Sequence, residues 1–172
     1  RVGVNPAAGW INGFIGVLIF SASLPATRAA VMDIDPLFVT FARASIAGFL
    51  AIILLLVFKE RRPKREDVAP LIIVGLGVVV GFPLLTALAL QYVTSAHSVV
   101  FIGLLPLATA TFGVIRGGER PLPAFWFFSG LGSLLVAGFA LTTGVELSLW
   151  GDALMFAAIV VCGLGYAEGA KL

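Results

Sequence analysis

Arg43, Gln91, Tyr92, His97 and Glu168 are the side chains whose chemistry stands out, because each interrupts or borders a long apolar run. A guanidinium among apolar residues is a receptor for anions, carrying five N–H donors and a permanent charge. An imidazole titrates near neutral pH and carries protons, and a carboxylate in the same setting holds a proton or a cation. Gln91 and Tyr92 supply neutral hydrogen bonds. Intramembrane polar groups are the default functional candidates, since each costs several kcal/mol unless paired or solvated. Each has a structural alternative. Arg43 could pair with Asp33 or Asp35 or bond the free carbonyls of a kinked helix. His97 could be a polar cap, Gln91 could bond another helix, and Glu168 could lie a turn from the surface. Pro25, Pro83 and Pro106 are candidate kinks, each removing one backbone donor. A motif for catalysis is missing: there is one histidine, and no two carboxylates sit together within an apolar run. The expectation is a protein without catalytic residues, metal or cofactor.

The elements that would hold these residues follow from composition. Of 172 residues, 60% are apolar and 12% charged, and mean hydropathy is +1.10. A water-soluble domain of this size has too little interior to hide that much apolar surface. Disorder is excluded by the same abundance. Crossing ~30 Å of hydrocarbon takes about 20 helical residues. Apolar segments of that length occur at 10–32, 37–58, 68–91, 96–115 and 122–143, and a sixth opens near Trp150. FLAIILLLVF does not alternate as a barrel strand must, so the spans are helices. The predicted class is an all-α, polytopic integral membrane bundle. Arg43 then lies roughly 9 Å of helix rise inside the second span.

Basic residues orient such chains. Lys59, Arg61, Arg62, Lys64 and Arg65 follow the second span, and Arg116 and Arg120 follow the fourth. Placing both loops inside puts every Lys and Arg except Arg28 and Arg43 on the cytoplasmic side, and Asp33, Asp35, Glu146 and Asp152 on the other. The expected N-terminus is cytoplasmic. The basic run reads as an orientation signal against lipid headgroups, with no role for nucleic acid. Trp10, Trp126 and Trp150 read as interfacial anchors, and Glu119 and Arg120 as a pair at the cytoplasmic rim. GVVVG at 77–81 permits close helix approach.

A shift of 140 positions lays the sixth span over the first: Trp10 meets Trp150, Asn12 meets Asp152, and Arg28 meets Glu168. Five intervening spans make the second copy enter the membrane upside down, the inverted-repeat design of secondary transporters.

SASLPATRAAV, DPLFVTFARASIAGFLA, LQYVTSAHSVVFIGLLPL, GGERPLPAFWFFSGLGSLLVAG and GYAEGAKL, in that order, resemble EamA-type members of the drug/metabolite transporter superfamily. The resemblance implies ten helices in two inverted five-helix repeats, with residues 1–145 forming the first repeat and 146–172 opening the second. It implies a multi-pass protein of the cell membrane, the bacterial inner membrane in particular. It also implies efflux of small metabolites, such as amino acids or related polar compounds, by alternating access. Proton or other ion coupling and a homodimer are open under this reading. A phosphate-binding loop for ATP is not found, so a gradient or the substrate itself would supply the energy. Alternatives are a half-size or non-transporting scaffold that dimerises and, more remotely, an intramembrane enzyme. Starting at Arg1 and ending within an apolar span, the chain reads as a segment of a longer protein.

Overall fold

Local signals decide where each helix begins. At the Asp35 end of the second span, Pro36 sits where its missing N–H costs nothing, and Asp35 Oδ1 accepts from Phe38 N at 3.0 Å. Thr94 Oγ1 accepts from His97 N, and Ser148 Oγ from Gly151 N, in the same way. Ends are marked by left-handed backbone at Lys59 and Gly118, with φ of 52° and 66°.

A computed structural model describes residues 6–59, 62–142 and 148–172. Arg1, Arg61 and Glu146, which bear on orientation, lie outside the described residues. The helices in chain order are α1 (Pro6–Ser21), α2 (Ser23–Asp33), α3 (Pro36–Phe58), α4 (Val68–Val74), α5 (Phe82–Ala89), α6 (Ser95–Ile102), α7 (Leu105–Gly117), α8 (Pro123–Thr142) and α9 (Leu149–Gly169). A 3₁₀ turn at Arg65–Asp67 precedes α4, and a π-helical segment at Gly75–Gly81 joins α4 to α5. The architecture is an all-helical membrane bundle.

Five stretches are long and apolar enough to cross a bilayer: Gly9–Asp33, Pro36–Phe58, Arg65–Ala89, Ser95–Gly117 and Leu149–Gly169. The fifth span expected from sequence coincides with α8, 20 residues long, within which Pro123–Val136 forms a shorter apolar stretch. Large apolar side chains point outward along α1, α3 and α8, the arrangement that lipid requires and water forbids.

The interior is built around α9, which packs against α7 most extensively and also against α4, the π segment, α5 and α6. Small residues make this possible. A Cβ built on Gly77 would stand 2.5 Å from the Val161 carbonyl oxygen, and one on Gly165 would stand 2.6 Å from Val78 Cγ2. The close approach expected of the 77–81 stretch is thus made to α9. Met155, Ala158, Ile159 and Cys162 are fully buried along the same helix.

Candidate functional site

Three of the membrane-crossing stretches are interrupted, each beside one of the prolines singled out above. Span one breaks at Ala22, and Pro25 lies in the first turn of α2. Span four breaks at Gly103 and Leu104, and Pro106 lies in the first turn of α7. In span three the Phe82 N–H bonds the Gly77 carbonyl, five residues back, and Pro83 follows directly. Proline has no N–H, so one carbonyl of the preceding turn, at Val78 or Val79, loses its helical donor.

The interruptions of spans one and three lie around Arg43. The guanidinium extends from α3 and donates from Nη1 to Thr27 Oγ1 of α2 at 3.4 Å, a long bond. Asp35 is occupied in capping α3, and no ion pair joins Arg43 to Asp33, Asp35 or any other carboxylate among the described residues. The ion pair with those aspartates, one of the structural alternatives for Arg43, is therefore not formed. They lie at the helix end, whereas Arg43 stands two turns further in.

Two cavities flank Arg43. One, of about 130 Å³, lies between α2, the π segment, α5 and α9 and includes Ser23, Thr27, Thr86 and Tyr166. The other, of about 200 Å³, includes Thr40 and Val79. Val78 and Pro83 border both. Thr40 and Thr86 are buried at 2% and 4% exposure, and neither hydroxyl has a partner. Hydroxyls in helices ordinarily bond a carbonyl of the preceding turn, so two orphans beside one lone cation are unusual.

The remaining candidates lie apart from this site. His97 is buried at the start of α6, with Nε2 2.5 Å from Asp152 Oδ1 in the first turn of α9 and Nδ1 without a partner. Glu168, at the opposite end of α9, is buried and bonded by Arg116 Nε at 2.6 Å and Lys171 Nζ at 2.9 Å. It lies within a turn of the helix end, held by cations. Gln91 and Tyr92 are exposed in the turn between α5 and α6. Arg28 donates to the Leu90 carbonyl at the C-terminal end of α5, where a cation meets the negative helix terminus.

A wider groove of about 830 Å³ runs between α7, α8 and α9, with Pro106, Glu119, Arg120 and Phe125 on its walls. Tyr166 borders both this groove and the smaller Arg43 cavity. The expected Glu119–Arg120 pair is not among the ion pairs of the described residues. Glu119 lies against Gly113 and Gly117 instead, because its N–H bonds the Gly113 carbonyl at 3.2 Å and folds it back on α7. Among the described residues no three of His, Cys, Asp and Glu converge as metal ligands.

Sequence reasoning did not single out Thr27, Thr40, Thr86 or Tyr166. The available signal was spacing: Thr40 and Arg43 are three apart on α3, and Ser23 and Thr27 four apart on α2, hence each pair shares a helix face.

Residues 7–144 match the profile of the EamA-like transporter family. Over 164 residues the chain is 71% identical to a Bacillus subtilis (strain 168) protein described as "Uncharacterized transporter YdeK". That alignment takes in 95% of this chain and 57% of the relative, so the chain spans little more than half of that protein's length. No solved structure matches. A membrane-crossing helical bundle, together with a family match over most of its length, places this chain in the EamA-like transporter family.

Proposed function

We propose that the chain is part of a secondary transporter that exports small metabolites, such as amino acids or related polar compounds. The observation that carries this reading is the Arg43 site. A permanent cation two turns inside its apolar span and two unpartnered hydroxyls about one turn inside theirs stand against a π segment and a proline-broken helix. Charge placed there is costly unless a ligand or water compensates it, and broken helices are where carriers bind substrate.

On this reading α1 to α8 form one repeat and α9 opens a second, inverted one. Substrate enters between them, and alternating access follows from rocking of one repeat against the other. The basic loops face the cytoplasm, the N-terminus lies inside, and the host membrane is the bacterial inner membrane. His97, buried against Asp152, is the group suited to carry a coupling proton.

The experiment is flux by the full-length protein in proteoliposomes, using labelled amino acids and small organic acids under imposed proton or sodium gradients. Protein-dependent flux of at least one compound is the expected result. Absence of flux under every gradient contradicts the carrier reading and favours a non-transporting scaffold.

A further inference from the structure

The Arg43 site has features that select what it holds. Its one formal charge is positive, and among the described residues no carboxylate borders either cavity. The other polar side chains at hand are neutral hydroxyls, of which Thr40 and Thr86 have no partner and Thr27 accepts only a long bond from Arg43. A guanidinium with most of its five donors unused, ringed by hydroxyl donors, complements a planar oxyanion.

Charge matching narrows the class further. One cation neutralises one negative charge, whereas a phosphate dianion would bring a second charge into an apolar bundle without compensation. An ammonium group finds no carboxylate among the described residues that line either cavity. The two cavities, about 130 and 200 Å³, compare with a water's share of roughly 30 Å³, so they admit about four and about seven non-hydrogen atoms respectively. Phe20 and Phe82 line the smaller cavity and offer an apolar wall.

We propose that Arg43, with the hydroxyls of Thr27 and Thr86, binds the carboxylate of a small organic acid whose apolar body rests against Phe20 and Phe82. The physiological role of this site rests on the carrier reading above; the binding chemistry does not.

The test uses charge-selective thiol modification of the full-length protein. Ser23, half-buried in the smaller cavity, is replaced in a Cys162→Ala background by Ser23→Cys, and Tyr92→Cys, exposed in the turn between α5 and α6, is the reference. Rates are measured with an anionic (sulfonatoethyl) and a cationic (trimethylammonioethyl) methanethiosulfonate. Relative to the reference site, the anionic reagent is expected to react faster at position 23 by on the order of tenfold, as a nearby unit charge dictates. Arg43→Lys keeps the preference and Arg43→Gln removes it. Equal rates, a cationic preference, or a preference surviving Arg43→Gln would overturn the proposal.

A second measurement leaves Arg43 intact. Millimolar acetate is expected to slow modification of Ser23→Cys while acetamide does not; protection by both or by neither overturns the site. Anion selectivity without flux retains the site and removes the carrier reading, and flux without anion selectivity does the reverse.

Discussion

Arg116 of α7 and Glu168 of α9 meet with Nε 2.6 Å from Oε1, an ion pair whose two halves sit in different surroundings. The carboxylate is 3% exposed and the guanidinium 48%. Lys171 adds a second cation at 2.9 Å. Removing Arg116 leaves the buried carboxylate on Lys171 alone, whereas removing the carboxylate leaves two cations that water can reach. Arg116→Met should therefore lower the unfolding midpoint more than Glu168→Gln does, by an amount that Lys171 and the half-exposed Arg116 both moderate. Thermal unfolding of the full-length protein in one detergent checks the order. A Glu168→Gln variant that loses more than Arg116→Met contradicts it.

The packing of α9 makes a second, contrasting prediction. Gly77→Ala would drive a methyl into the Val161 carbonyl, a backbone atom that cannot turn aside, and overpacking of this kind costs about 1–3 kcal/mol. Gly75, two residues away, has nothing within 4 Å of its Cβ position. Gly75→Ala should be neutral or stabilising by up to about 1 kcal/mol through helix propensity. Unfolding midpoints in the same detergent compare the two. Equal effects would show that the close approach of the π segment to α9 is not a determinant of stability.

The spans were legible from sequence because crossing a bilayer imposes a length and an apolar content that few other structures share. Pro25, Pro83 and Pro106 stand beside helix interruptions, and a proline's missing donor is visible in any sequence. The π segment was not: whether a carbonyl bonds four or five residues on depends on how Gly77 and Gly81 seat against Val161, a tertiary fact. His97 and Asp152 are 55 positions apart, and nothing local to either names the other. The threonines around Arg43 were overlooked because single threonines are common in apolar helices. The significance of Thr40 and Thr86 lies in lacking partners, which coordinates alone reveal.

Orientation yields a third prediction. Lys64→Cys and Arg120→Cys, in a Cys162→Ala background, should both resist an impermeant thiol reagent applied to intact cells, and both should react after permeabilisation. Asp35→Cys, at the opposite end of α3, should react without permeabilisation. Opposite accessibility of positions 64 and 120 would break the alternation of spans on which the inverted repeat depends.

Dependence of transport on Arg43 tests most directly whether substrate passes beside this side chain. For each compound that the full-length protein moves in proteoliposomes, initial rates are compared between wild type and Arg43→Gln, matched for reconstituted amount. Loss of the guanidinium should lower carboxylate flux by on the order of tenfold, the worth of one charge-assisted hydrogen bond of about 1.4 kcal/mol or more, with Arg43→Lys retaining part of it. Unchanged rates and unchanged selectivity in Arg43→Gln would contradict the account.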